Sequence, residues 1–265
     1  FNQPVNNLPT QLTKLTFGWN FNQPVNNLPT QLTKLTFGEY FSQPVNNLPR
    51  HLKHLTFGWD FNQPVDNLPN SLIELTFGRN FNYPVDNLPN NLIKLTFGAS
   101  FNQPVNNLPT HLKHLTFTWS FNQNVNKLPE NLTHLTFSEW FSQPVNNLPN
   151  TITNLTFGCD FNQPIEYLPN SIKYLSFGIG FSQSLNLLPN SITHLSLFLN
   201  NIQYNEILIN NLPNSIISLK LVFLSSKNYT EQIKQLPDSL EEIIINEPSK
   251  INLFSEKYHN IIKVE

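Results

Sequence analysis

The chain has 265 residues, of which 15 are basic and 17 are acidic, and its net charge is −2. Balanced charge of this kind gives no general attraction to nucleic acid or to an anionic membrane, so we expect neither as a partner. No apolar run reaches the roughly 18 residues that a membrane-spanning helix needs. A single cysteine, Cys159, excludes an internal disulfide and is typical of a reducing compartment, so we expect a cytoplasmic location.

A unit of 20 residues recurs ten times between residues 1 and 200. The first copy reads FNQPVNNLPTQLTKLTFGWN, and residues 21–38 repeat residues 1–18 without a change. We number the positions of the unit from 1 to 20, starting at Phe1, and call each position a column. A short fixed period predicts a solenoid in which each copy packs on its neighbours.

The triplet Leu15-Thr16-Phe17 alternates apolar, polar and apolar side chains, as a short half-buried strand does. Because the next copy supplies the same triplet, neighbouring strands must be parallel. Pro4 and Pro9 remove amide donors and forbid a helix in the rest of the unit, so we expect an extended return path. The predicted fold is a repeat solenoid with a parallel sheet on one face and an extended, irregular return side with few or no helices.

The Leu-Pro pair of columns 8 and 9 keeps the register to Leu188-Pro189, and its spacing then lengthens to reach residues 212–213 and 236–237. Residues 201–245 are therefore two longer, degenerate repeats. We expect residues 246–265 to form a C-terminal cap, in which residues 261–264 could add a thirteenth strand. The chain has no methionine and begins on the first letter of a repeat, so we expect it to be part of a longer protein with an N-terminal region before Phe1.

Two motifs carry a resemblance to known families. The pattern Leu-x-x-Leu-x-Phe at residues 12–17 resembles the leucine-rich repeat. That resemblance implies a leucine-rich-repeat-like horseshoe, with the parallel sheet on its concave face and an irregular convex side with few or no helices. The segments Phe-Asn-Gln-Pro-Val at residues 1–5 and Leu-Pro-Asn-Ser-Leu at residues 68–72 resemble the FNIP repeat, and the likeness extends over residues 1–245. The resemblance implies a protein of social amoebae or of giant DNA viruses that infect amoebae. Some FNIP-repeat proteins carry an F-box upstream, which implies recruitment of substrates to a ubiquitin ligase.

One column departs from the ordinary leucine-rich repeat. That family has a nearly fixed asparagine at column 20, where it satisfies buried backbone groups, but this chain has varied residues there, such as Asn20, Tyr40 and Asp60. Column 2 holds only asparagine or serine in all ten copies. We therefore predict that the polar ladder has moved to column 2.

The variable columns are the candidates for function. Column 14 faces outward on the predicted concave face, and all four tryptophans fall in columns 19 and 20 on its rim. Aromatic and arginine side chains most often anchor protein interfaces. The tryptophans either contact a partner or shield the ends of neighbouring strands, and both roles can hold together. The candidate partner-binding residues are Lys14, Trp19, Lys34, Tyr40, His54, Trp59, Arg79, Lys94, His114, Trp119, His134, Trp140 and Tyr174.

The sequence favours neither a metal site nor catalysis. His114 and His134 should lie on adjacent strands near His111, but histidine, lysine and asparagine alternate freely in column 14, as on a polar surface. The chain has no phosphate-binding glycine loop and no Gly-x-Ser-x-Gly motif. Cys159 has no designed base among the neighbours that the repeat gives it, Asp160 and Asn154. We expect no enzyme activity, no cofactor and no metal.

We expect a scaffold that recognises a protein through the concave face and its rim. The partner would be a host or cellular protein, in the host cytoplasm if the chain is viral, and the chain would act as a substrate receptor if an F-box lies upstream. The alternative is a structural repeat protein that packs in a virion or assembly without a single defined partner. The sequence leaves the oligomeric state open.

Overall fold

The computed structural model describes residues 1–199, 209, 212–224, 229, 232–233 and 235–265. The chain divides into two compact units, which we call unit 1 (Phe1–Ser138) and unit 2 (Glu139–Glu265). Parts of the two longer repeats assigned to residues 201–245 lie outside the described residues.

Unit 1 is a stack of coils, each of which contributes one short strand and an extended return segment with three turns. The strands are β1 (Lys14–Thr16), β2 (Lys34–Thr36), β3 (His54–Thr56), β4 (Glu74–Thr76), β5 (Lys94–Thr96), β6 (His114–Thr116) and β7 (His134–Thr136). They pair in parallel, and each residue lies opposite the residue of the same column in the next coil. The turn at the Leu-Pro pair is closed by a bond such as that from Leu72 N to Pro69 O, at 3.1 Å.

Unit 2 continues the same architecture with longer strands near its end. Its strands are β8 (Asn154–Thr156), β9 (Tyr174–Ser176), β10 (His194–Leu199), β11 (Ser218–Phe223), β12 (Glu242–Ile245) and β13 (Ile262–Val264). β10 and β11 are longer because buried and half-buried side chains go on alternating through residues 197–199 and 221–223. At column 18 these repeats have Phe198 and Val222, where earlier copies have glycine, threonine or serine. Two 3₁₀ helices, Pro248–Leu253 and Glu256–Ile261, precede β13. The predicted parallel-strand solenoid, the scarcity of helix and the thirteenth strand are confirmed.

Six columns of the repeat are apolar and buried, and each forms a row of side chains along the stack of coils. In the fourth coil these are Phe61, Val65, Leu68, Leu72, Leu75 and Phe77, all buried. The two phenylalanine columns form paired stacks: the rings of Phe57 and Phe61 lie parallel with centroids 3.6 Å apart, and Phe57 is 5.7 Å from Phe77 along its own row. Each apolar side chain packs on the residue of the same column in the next coil. An interior coil is therefore covered by a neighbouring coil on each side, and its apolar side chains are buried.

The polar ladder predicted at column 2 is present. The Oδ1 atom of Asn102 accepts the backbone N–H of Asn122 at 2.9 Å and the side-chain amide of Gln123 at 3.1 Å. Asn22 does the same for Ser42 and Gln43. After a column-2 serine the following glutamine instead donates to the serine carbonyl, as Gln63 does to Ser42. The ladder therefore satisfies backbone donors on the return side of the coils, where no sheet pairing is available.

Candidate protein-binding face

One face of the unit 1 sheet carries a row of basic residues at the start of its strands. We call this row the basic lane, which comprises Lys14, Lys34, Lys53, His54, Lys94, Lys113, His114 and His134. Lys53 and Lys113 belong to column 13, which sequence reasoning passed over, and the others begin strands. The five lysines and His134 are exposed, and His54 and His114 are half-buried.

The basic lane is nearly free of acidic partners. Within the part of unit 1 that the structure describes, the one salt bridge joins His54 Nδ1 to Glu74 Oε2, at 3.0 Å. The lysines of the lane form none. The lysines of the lane therefore have no ion-pair partner among the described residues, although Glu74 lies opposite Lys94 in the pairing of β4 with β5.

His114 and His134 stand side by side in the basic lane. Their ring centroids are 4.3 Å apart, as expected from the pairing of the two residues across β6 and β7. Burial and the nearby positive charges of His134, Lys94 and Lys113 lower the pKa of His114 below its usual value, while Glu74 acts in the opposite direction. An anion bound beside His114 would favour the protonated form of its ring.

The opposite border of the same face carries aromatic side chains, which we call the rim. Trp19, Tyr40, Trp59 and Trp119 are more than half exposed, with Trp19 reaching 72%. The guanidinium carbon of Arg79 lies 5.8 Å from the ring centroid of Trp59, which is within cation–π range. The sequence-predicted residues of unit 1 thus fall into two groups, the basic lane and the rim.

A shallow groove of about 490 Å³ runs between the strands and the rim of unit 1. Its floor is formed by the column-16 threonines and by backbone at the column-18 glycines, and Glu39, Trp59, Arg79 and Trp119 line its border. The groove crosses consecutive coils, so a ligand lying in it would meet a column-16 threonine and a different border side chain in each coil. A groove of this kind suits an elongated ligand.

The glycines of column 18 keep the groove floor low. A Cβ atom added to Gly58, Gly78 or Gly98 would overlap the carbonyl group of the glycine in the preceding coil. A residue with a side chain therefore forces the coil to shift. The sequence shows the requirement for glycine, because column 18 is glycine in every coil from the first to the fifth. The reason for it appears only in the short distance between the backbones of adjacent coils.

The glycine column is interrupted by Thr118 and Ser138, and the backbone changes there. Thr118 Oγ1 donates to the carbonyl of Phe97 at 3.2 Å, and the buried Ser138 Oγ donates to that of Phe121 at 2.7 Å. The residue after Thr118 is Trp119, which has a φ of 43°. Left-handed backbone is unfavourable for a bulky residue, so Trp119 is held on the rim in a strained conformation.

Unit 2 presents a different face. Trp140 is 52% exposed, and Tyr174 stacks on His194 with ring centroids 4.3 Å apart beside a hollow of about 270 Å³. Two lysines on the face of this unit are paired: Lys263 Nζ is 2.7 Å from Glu242 Oε2, and Lys220 Nζ is 2.6 Å from Glu265 Oε2. Lys173, in column 13, is exposed and forms no salt bridge among the described residues.

A hydrogen-bonded row crosses the last strands of unit 2. The hydroxyl of Ser218 donates to Glu242 Oε1 at 2.6 Å. Hydrogen bonds from Lys263 and Ser218 lower the pKa of Glu242. These contacts tie β11, β12 and β13 together.

Cys159 is exposed and contacts Glu139, a neighbour that was not predicted. The Cys159 N–H donates to Glu139 Oε2 at 3.2 Å, and the carboxylate raises the pKa of the thiol. A raised pKa disfavours the thiolate and hence nucleophilic chemistry.

The described residues contain no group of three or more His, Cys, Asp or Glu side chains placed to hold a metal ion. In the same part of the chain no helix has the length and apolar character needed to cross a bilayer.

Comparisons with known proteins agree with this architecture. Among solved structures, the chain is similar to CroV588, a circular leucine-rich-repeat protein of a giant virus, with 42% identity and a TM-score of 0.72 over 92% of this chain and 42% of that one. It also has the fold of YopM from Yersinia enterocolitica, at 18% identity and a TM-score of 0.53 over 96% of this chain and 60% of that one. The chain thus spans less than two thirds of either protein. No curated protein is a significant match.

The repeat itself gives the family. The model of the FNIP Repeat family matches residues 1–40, 25–60, 41–80, 61–100, 81–118, 101–139, 121–160 and 161–200. These overlapping matches cover most of the chain, and the protein therefore belongs to the FNIP-repeat family.

Proposed function

We propose that this chain recognises a protein partner through the face of unit 1, between the basic lane and the rim. Leucine-rich-repeat-like solenoids commonly mediate protein–protein interaction and are generally scaffolds rather than enzymes. The observation that carries the proposal is the rim, where three tryptophans remain more than half exposed and two of them, Trp59 and Trp119, line an open groove. Exposed tryptophans in such a position are typical anchors of protein interfaces.

Affinity capture with matched variants tests this function. The triple change Trp19→Ala, Trp59→Ala and Trp119→Ala removes the rim anchors, and the double change Tyr83→Ala and Tyr167→Ala removes exposed aromatics from the return side of the coils. We expect the native chain and the tyrosine variant to retain the same protein from an amoebal lysate. The tryptophan variant should lose it while keeping the native circular dichroism spectrum.

The opposite result would favour a structural role. If all three forms retain the same proteins, or none retains any, the rim is no recognition surface. The repeats would then serve to pack an assembly, a role supported by the identity of residues 1–18 and 21–38, which gives successive coils the same surface.

The setting of the proposed recognition is a cytoplasm, the host's if the chain is viral, and the partner is a host or cellular protein. The nearly cysteine-free composition supports such a compartment. If an F-box lies upstream of Phe1, the chain would present its partner to a ubiquitin ligase. Co-purification of the complete protein with ubiquitin-ligase subunits tests that role, and their absence would reject it.

A further inference from the structure

We propose that the basic lane of unit 1 binds an acidic, extended segment of the protein partner. The inference rests on the proposed recognition function and specifies the chemistry of the ligand. The lane would be a second contact site, and the threonines of column 16 lie between it and the rim.

Charge is the first support. Unit 1 has only eight basic and six acidic side chains in all, but five of the basic ones are lysines of the lane, and Glu74 is the one acidic residue in columns 13 and 14. The excess positive charge of unit 1 is thus concentrated along one line. By contrast, two of the face lysines of unit 2, Lys220 and Lys263, form ion pairs, and Lys173 is the column-13 lysine of that unit without one among the described residues.

Length is the second support. Seven strands at the usual spacing of about 4.8 Å make a lane roughly 30 Å long. An extended peptide advances about 3.3 Å per residue, so about nine residues would follow the whole lane. Carboxylates along such a segment would meet Lys34, Lys53, Lys94 and Lys113 in turn.

The rim argues for a protein rather than a nucleic acid as the source of the negative charge. Single-stranded nucleic acid needs cations beside its stacking aromatics. Here Glu39 borders the groove and Asp60 follows Trp59, so carboxylates accompany the aromatics. Arg79 already covers the Trp59 ring. A continuous phosphate backbone on this face would meet these carboxylates, whereas a protein segment can place its acids over the lane alone.

The histidines add a proton-linked signature. Lys94, Lys113 and His134 surround His114, with Glu74 as the opposing charge and Thr133 beside the His134 ring. Carboxylates brought into this cluster favour the imidazolium form of His114, so binding takes up a proton and tightens as the pH falls. Glutamate remains ionised down to about pH 5.5, so the ligand does not lose its charge over this range.

Fluorescence anisotropy provides the test. The probe is a labelled peptide of about nine residues with glutamate at alternate positions, and its control has glutamine in place of glutamate. The variant Lys94→Gln with Lys113→Gln removes two charges from the lane. The matched control, Lys127→Gln with Lys257→Gln, removes two exposed lysines from elsewhere.

We expect the glutamate peptide to bind, the glutamine peptide not to bind, and affinity to fall as salt is raised from about 50 to about 300 mM. The lane variant should lose affinity by about tenfold, since two charge-assisted contacts disappear, and the control variant should match the native chain. Lowering the pH from about 7.5 to about 5.5 should raise the affinity of the native chain, and His114→Asn with His134→Asn should reduce that gain.

Three outcomes would overturn the proposal: no binding of the glutamate peptide, equal losses in the two lysine variants, or an oligouridylate that binds more tightly than the peptide and loses affinity in the lane variant. The last outcome would make the lane a nucleic-acid site. If the peptide fails while the rim variant still loses its captured partner, the acidic-segment inference is wrong and protein recognition stands. If the rim variant keeps its partner and the peptide binds to the lane, the proposal that the rim recognises the partner is wrong and the acidic-segment inference stands.

Discussion

The carbonyl oxygen of Gly78 occupies the space that a Cβ atom on Gly98 would need. The same conflict recurs at Gly38, Gly58, Gly78 and Gly178, whereas an added Cβ atom on Gly18 would meet nothing within 4 Å. One column thus offers both a substitution and its control.

Gly98→Ala should destabilise unit 1, because the methyl group would overlap the backbone of the preceding coil. We expect the free energy of unfolding to fall by about 1–3 kcal/mol, the usual range for overpacking. Gly18→Ala should change it by no more than about 0.5 kcal/mol. Urea denaturation followed by circular dichroism measures both, and equal losses would show that coil spacing is not the cause.

Asn102→Ala should remove the acceptor that Asn122 N–H and Gln123 Nε2 share. The exposed position keeps the cost near the lower end of the range for a lost acceptor, about 1 kcal/mol. Asn102→Asp keeps an oxygen at the acceptor position of Oδ1 and should keep stability at neutral pH.

The aspartate variant also gains a pH dependence with a defined sign. Donors that bind the carboxylate lower its pKa in the folded state below the usual value of about 3.9, so its stabilising effect holds above that value and is lost as the pH falls through the folded pKa. Thermal melting at neutral and acid pH checks this. If Asn102→Asp melts like Asn102→Ala at neutral pH, the acceptor role of column 2 is wrong.

Phe101→Ala should be among the most damaging single changes in unit 1. Phe101 is fully buried and stacks on Phe97 with centroids 3.8 Å apart. We expect a loss of about 3–5 kcal/mol. Phe1→Ala is the matched control, because the same column is 75% exposed in the first coil, and it should cost far less. Urea denaturation of the two variants should separate clearly, and similar midpoints would contradict the stacked-column account.

Acid should weaken unit 1 partly through His114. The pKa of His114 is lowered in the folded state. Below about pH 6.5 the unfolded chain therefore binds more protons at this residue than the folded chain does. The free energy of unfolding decreases as the pH falls through that range. His114→Asn should lessen the drop in melting temperature between about pH 7.5 and about pH 5.5. An unchanged drop would mean that other groups dominate.

The repeat made much of the fold predictable. Parallel strands at residues such as Leu15 and Leu35 follow from the period alone, because in-register pairing is the one arrangement that buries every copy of a column. The move of the polar ladder to column 2 followed from comparing Asn2 with the varied residues of column 20. The exposure of the tryptophans agrees with their position after the strands.

Other features depended on distances that a period does not contain. The role of Gly58 appears only once the separation of adjacent coils is known. The left-handed backbone of Trp119 follows from a local break in that column, and the Cys159–Glu139 contact depends on the path between strands. Lys53 and Lys113 were missed as candidates because column 13 precedes the strand proper.

The phenylalanine stacks have a consequence for how such a protein changes over generations. Each ring in the interior meets copies of itself above and below, so inserting or deleting one whole 20-residue unit recreates every contact that it interrupts. Unequal recombination between near-identical segments such as residues 1–18 and 21–38 would therefore lengthen or shorten the molecule without a folding defect. One recombination event can therefore change the number of coils, and with it the length of ligand that the face can contact.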